Sequence, residues 1–156
     1  MKKIAVLISG SGSNLEAIVK SCNSNLINGE VVSVISNNPD AYGLIRANNF
    51  KVNTKIINHN EFASRNEFEK VLGEYLDQLN VDLIVLAGFM RILGKKIINK
   101  FGHDNVLIIS ADVENQINNF IERFLAGDVS LPSDSKYLSK YQEYLTPLSR
   151  YYEKNI

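Results

Sequence analysis

The chain opens on an apolar run, Ile4-Ala5-Val6-Leu7-Ile8, that stops at Ser9-Gly10-Ser11-Gly12-Ser13-Asn14 before apolar residues return at helical spacing. An unbroken apolar run suits a strand buried on both faces of a parallel sheet, and glycines let the chain turn tightly after it. Leu15, Ile18, Val19 and Cys22 then mark one face of a helix that Asn14 or Ser13 can cap. Residues 31–35 form a second apolar run ending in Ser36-Asn37-Asn38. The turn-rich Asn38-Pro39-Asp40-Ala41-Tyr42-Gly43 leads into a short helix with Leu44, Ile45 and Ala47 that ends near Asn48-Asn49. A third strand is predicted over 52–57, closed by Asn58-His59-Asn60. Phe68, Val71, Leu72, Tyr75, Leu76 and Leu79 recur three and four apart, with Ser64 and Glu67 spaced as a capping box, and predict a one-sided helix.

Residues 81–87 form the clearest central strand and run directly into Gly88-Phe89-Met90-Arg91-Ile92-Leu93. A further strand, Val106-Leu107-Ile108-Ile109, precedes a helix with Val113, Ile117, Phe120, Ile121 and Phe124 on one face, for which Asp112 is the expected N-cap and Gly127 the stop. Tyr137, Leu138, Tyr141, Tyr144, Leu145, Leu148, Tyr151 and Tyr152 keep helical spacing to the end, with Pro147 forcing a kink or break. Five of the seven tyrosines lie in that stripe, which packs on the core or meets another subunit. The succession predicts an α/β protein: a Rossmann-like three-layer fold with a mainly parallel sheet, followed by two C-terminal amphipathic helices.

A length of 156 residues fits one domain and allows a sizeable core. Lys plus Arg and Asp plus Glu both number 17 and are scattered, which disfavours broad electrostatic capture of nucleic acid or of an anionic membrane. The single cysteine, Cys22, falls on an apolar stripe and reads as a buried thiol, with neither a disulfide framework nor a metal quartet to join. No apolar run reaches spanning length and no secretory signal is evident, so the expectation is a cytoplasmic protein without a membrane role or a bound metal.

The first loop is the leading candidate for chemistry, because unpaired helix amides, the helix dipole and small hydroxyl side chains converge there on a place that favours an anion. It holds only the first two glycines of the dinucleotide fingerprint, since Leu15 occupies the third place, and the second strand ends without an acid to hold a ribose hydroxyl. NAD is therefore disfavoured, and the missing Gly-Lys-Ser/Thr excludes a nucleoside-triphosphate loop. The plain alternative is a tight turn with no ligand. Arg65, in the first turn of its helix and off the apolar stripe, contacts a ligand or is a solvated surface arginine. Phe89, Met90, Arg91, Ile92 and Leu93 either line a ligand at a strand end or begin the next helix. His59 reads as a solvated loop residue.

Three blocks taken in order carry a resemblance. They are residues 6–15 (VLISGSGSNL), residues 36–44 (SNNPDAYGL) and residues 82–93 (DLIVLAGFMRIL). Together they resemble the phosphoribosylglycinamide formyltransferases, folate-dependent enzymes that formylate glycinamide ribonucleotide in purine synthesis. The resemblance covers the chain to about Phe101, which marks 1–101 as a formyltransferase-like nucleotide-binding part and 110–156 as an unmatched helical tail of the same domain. It implies that Gly12, Ser13 and Asn14 hold the phosphate of the ribonucleotide. It implies also that Arg65, Met90, Arg91, Ile92 and Leu93 belong to the site of 10-formyltetrahydrofolate, the co-substrate.

Attack of an amine on a formyl carbon builds negative charge on oxygen and moves a proton, so donors must stand at that oxygen. The family supplies them from an Asn-x-His-Pro motif after the next strand and from an aspartate on a later loop. Here the resemblance puts Leu107 in the place of the asparagine and Ile109 in the place of the histidine, and neither side chain donates a hydrogen bond. His103 and Asn105 precede that strand and are expected at the opposite edge of the sheet. Asp112 and Glu114 follow it, but cap and surface roles suit them better. No catalytic residue is therefore assigned. The readings are a formyltransferase-family enzyme, a catalytically inactive module that binds phosphate or folate, and an assembly protein forming a homodimer through its C-terminal helix.

Overall fold

A computed structural model describes residues 1–109 of the chain. The predicted C-terminal helices, the tyrosine stripe, Asp112 and Glu114 lie outside the described residues. Five strands form one sheet: β1 (Lys2–Ile8), β2 (Gly29–Ser36), β3 (Thr54–Ile56), β4 (Leu83–Ala87) and β5 (Val106–Ile109). Their order is β3-β2-β1-β4-β5 and every pairing is parallel. Four helices connect them: α1 (Ser13–Asn23), α2 (Tyr42–Asn49), α3 (Arg65–Leu79) and α4 (Lys95–Phe101). The fold is thus α/β with a parallel sheet, as the alternation of patterns predicts.

Strand periodicity divides the core into two layers. Ile4, Val6 and Ile8 point to one face, where they pack with Leu15, Ile18 and Val19 of α1 and Leu44 and Ala47 of α2. Ala5 and Leu7 point to the other, against Phe68, Leu72 and Leu76 of α3 and Ile97 and Ile98 of α4. Both faces of β1 are covered, which is why its alternate positions are equally apolar.

Local departures from the expected elements have simple causes. Neither Ser13 nor Asn14 caps α1, because Ser13 is already helical and the cap position falls on Gly12, which has no side chain. The third strand shrinks to Thr54–Ile56, since it is an edge strand that pairs only with β2 and exposes all its side chains. Ile45 is exposed on α2, and Val71 is exposed on α3. The capping box is half realised: the Glu67 amide donates to Ser64 Oγ at 3.3 Å, but the Glu67 carboxylate accepts from the Ala63 amide at 3.2 Å.

Cys22 is buried on α1, and burial pushes its thiol up to about 11. Because the folded state favours the neutral thiol, the associated stability is complete below the ordinary thiol range and is lost as pH rises through about 11. Native protein at pH 8 is expected to react with iodoacetamide at least about tenfold more slowly than protein in denaturing urea, read by intact mass. Equal rates would show the thiol to be accessible.

Candidate functional site

A parallel sheet ordered 3-2-1-4-5 reverses its winding between β1 and β4, and ligands of such sheets bind at the carboxyl ends of the strands flanking that point. Two segments meet there: the glycine loop, residues 9–14, after β1, and a lip, residues 88–94, after β4.

The glycine loop is built on close backbone approach. Gly12 has φ +75°, and a Cβ on it would stand 2.5 Å from the Gly43 Cα. The Gly43 amide donates to the Gly10 carbonyl at 2.9 Å, so the N-terminus of α2 buttresses the turn that opens α1. Arg46 of α2 donates from Nε to the Ser11 carbonyl at 2.9 Å, lies 5.1 Å from the Tyr42 ring centroid and pairs with Glu16. A hydrogen bond from Lys20, with further help from Arg46, holds the Glu16 carboxyl below its ordinary range. Ser13 is exposed and Asn14 half-buried, so both stand at the surface of the loop rather than inside the core. α1 starts at Ser13 with no side-chain cap, so the positive end of its helix dipole lies beside these residues.

Ser9 closes β1 as one of the few buried polar residues. Its Oγ accepts from the Met90 amide at 2.8 Å and donates to Asn37 Oδ1 at 2.5 Å. Asn37 Nδ2 in turn lies 3.2 Å from His59 Nδ1, and the Asn37 carbonyl is 3.2 Å from the same nitrogen. His59 is therefore a half-buried, bonded residue and not the solvated loop histidine expected from its asparagine neighbours. The reason is tertiary: the 3-10 turn at His59–Glu61 brings it back over the end of β2.

The lip has no regular secondary structure, and α4 begins only at Lys95, so residues 89–93 do not start a helix. Side chains from elsewhere hold its backbone. Besides Ser9 at Met90, an Arg65 terminal nitrogen donates to the Ile92 carbonyl at 2.6 Å, and Glu69 Oε1 accepts from the Gly94 amide at 2.7 Å. Arg65 Nε also donates to Glu69 Oε1 at 2.8 Å, so Arg65 is tied into the protein and not simply solvated. Gly94 lies so close that a Cβ there would stand 2.5 Å from Glu69 Oε2. The Arg91 guanidinium sits 5.4 Å from the centroid of the Phe68 ring. Met90 is 82% exposed and Ile92 46%, whereas Leu93 is buried in the core beneath. The lip thus presents main-chain groups and two exposed apolar side chains, Met90 and Ile92, while the Leu93 side chain packs into the core.

The sequence therefore brings Gly12, Ser13, Asn14, Met90, Arg91 and Ile92 to one edge of the sheet. Leu107 and Ile109 are buried with the α1 layer. The short turn His103–Asn105 precedes β5 and so lies at the opposite edge, as its place in the chain predicts. Ser9, Asn37, Arg46 and Glu69 were not singled out by sequence. Only Glu69 carries a local signal, its four-residue spacing from Arg65. Among the described residues, no group of three or more His, Cys, Asp or Glu is placed to hold a metal ion, and no helix is long and apolar enough to cross a membrane.

The sequence profile of the family described as formyl transferase matches residues 2–109. The chain is similar to a phosphoribosylglycinamide formyltransferase from Haemophilus influenzae, 46% identical over 101 residues that cover 65% of this chain and 48% of that protein. Among solved structures it is similar to glycinamide ribonucleotide transformylase 1 from Symbiobacterium toebii, with TM-score 0.67 and 41% identity over 69% of this chain and 50% of that one. It is also similar to the phosphoribosylglycinamide formyltransferase of Coxiella burnetii solved in complex with CHES, with TM-score 0.67 and 40% identity over 81% of this chain and 60% of that one. The chain spans about half the length of the curated phosphoribosylglycinamide formyltransferases it matches.

Proposed function

The chain belongs to the formyl transferase family, and on that premise we propose that it forms the ribonucleotide- and folate-binding half of a phosphoribosylglycinamide formyltransferase. Gly12, Ser13 and Asn14 hold the phosphate of glycinamide ribonucleotide through helix amides and short polar side chains. Met90, Arg91, Ile92 and Leu93 take the pterin of 10-formyltetrahydrofolate, the first and third with apolar side chains and the segment as a whole with its backbone. Arg65 serves the same side by holding the Ile92 carbonyl in place. In the transfer itself the substrate amine forms a bond to the formyl carbon, the bond from that carbon to the folate nitrogen breaks, and the proton given up by the amine ends on the departing folate nitrogen. The observation that carries the reading is the meeting of glycine loop and lip across the β1–β4 switch point.

A second reading, binding without turnover, is favoured by the buried hydrocarbon of Leu107 and Ile109 where the resemblance calls for an asparagine and a histidine. On either reading 1–101 is the binding part, in a cytoplasmic protein of purine synthesis. Purified full-length chain, glycinamide ribonucleotide and 10-formyltetrahydrofolate separate them. Calorimetric binding of the ribonucleotide, weakened about tenfold or more by Asn14→Ala, supports the phosphate site, at the scale of a lost charge-assisted hydrogen bond. Formyl transfer abolished by the same change establishes the enzyme. Binding of both ligands with no product establishes the inactive module, and binding of neither refutes both.

A further inference from the structure

We propose that Ser9 is a positioning residue that couples the two half-sites, so that occupancy of the glycine loop tightens binding at the lip. This rests on the formyltransferase reading above and deepens it. Ser9 stands immediately before Gly10, at the end of β1, and its hydroxyl is the direct side-chain link from that loop to the lip backbone. A hydroxyl has one proton. Because Asn37 Oδ1 can only accept, the proton goes to Asn37, and a lone pair faces the Met90 amide. The amide of Asn38 adds a second tie, from Nδ2 to the Ser9 carbonyl at 3.2 Å, so the residue is held on both its main chain and its side chain.

That arrangement gives each ligand leverage on the other's site. An anion drawn onto the amides after Gly12 bears on a short, glycine-rich loop held at Ser11 by Arg46, at Gly10 by the Gly43 amide and at Ser9 by Asn38, and of these three residues Ser9 also holds the lip. Ser9 in turn holds the peptide that carries Met90, a residue whose side chain is 82% exposed and has little packing to fix it. Ordering one segment lowers the entropic cost of ordering the next, which is positive coupling without a large change of shape. By linkage the effect is reciprocal, with typical factors of about 5 to 150.

The test uses the full chain with glycinamide ribonucleotide and non-reacting tetrahydrofolate. In wild-type protein, saturating ribonucleotide is expected to tighten tetrahydrofolate about fivefold or more by calorimetry. In Ser9→Ala the ratio is expected to fall below about twofold. A second measurement needs no ligand: the Met90 amide is expected to be protected from hydrogen exchange in wild-type protein and to exchange about tenfold faster in Ser9→Ala. Should Ser9→Ala fail to fold, an unprotected Met90 amide in the wild type already overturns the proposal. So does an undiminished ratio in the variant, or independent binding of the two ligands to wild type. If neither ligand binds wild-type protein, the formyltransferase reading itself fails; if both bind but do not couple, only the role of Ser9 does.

Discussion

Gly12→Ala is expected to cost roughly 2–4 kcal/mol of stability and to weaken glycinamide ribonucleotide binding about 100-fold or more. A non-glycine residue in the left-handed region costs about 1–3 kcal/mol by itself. Gly12 has φ +75°, and its new Cβ would also meet the Gly43 Cα at 2.5 Å. That contact is backbone against backbone, so relief requires α1 and α2 to move apart, carrying the turn with them. Gly10→Ala is the matching control. It lies two residues earlier in the same loop, yet a Cβ there has nothing within 4 Å, and it should cost less than about 1 kcal/mol. Urea midpoints and calorimetry on the two variants decide the point. Similar losses in both would mean that the loop is not built on the Gly12–Gly43 approach.

Glu69→Ala is expected to lower stability by about 2–3 kcal/mol and to weaken tetrahydrofolate about tenfold, while ribonucleotide bound alone changes less than about threefold. Glu69 is 9% exposed and its Oε1 accepts from both the Gly94 amide and Arg65 Nε. Truncation leaves that amide unpaired and frees the guanidinium that grips the Ile92 carbonyl, so the lip loses two of its fixed points together. Glu69→Gln keeps an oxygen for the Gly94 amide but not the charge facing Arg65, and its losses should be about half as large. Melting temperature and separate calorimetry of each ligand check this. If the ribonucleotide weakens as much as the folate, Glu69 supports the whole fold rather than the lip.

The two variants probe separately the segment that follows β1 and the segment that follows β4. The glycine loop is stiffened by close packing of backbone, and the lip by charged and polar side chains reaching from other elements. The difference explains how a segment without helix or strand can present main-chain groups in one geometry. Pre-set hydrogen bonds reduce the ordering cost that a loop otherwise incurs on binding.

Much of this was legible before any coordinates. Residues 4–8 of β1 and all of β4 are covered on both faces, so every position in these runs is apolar and the run announces itself; the edge strand β3, with all its side chains exposed, carries a weaker signal and is shorter than the 52–57 its pattern predicts. The glycine loop was legible because tight turns at a helix start demand residue types that the sequence displays outright. What sequence alone determined was local: the order of elements, the buried faces, and the two irregular, glycine-bearing segments that follow β1 and β4. What only the tertiary structure decided was which side chains hold those segments. Ser9 finds its partners 28 and 81 residues away, and Glu69 meets Gly94 at a separation of 25. A serine at a strand end or a glutamate on a helix is compatible with many neighbours, and folding selects among them only when distant strands come into register. Hydrophobic periodicity is a property of adjacent residues; a hydrogen bond across a switch point is a property of the topology.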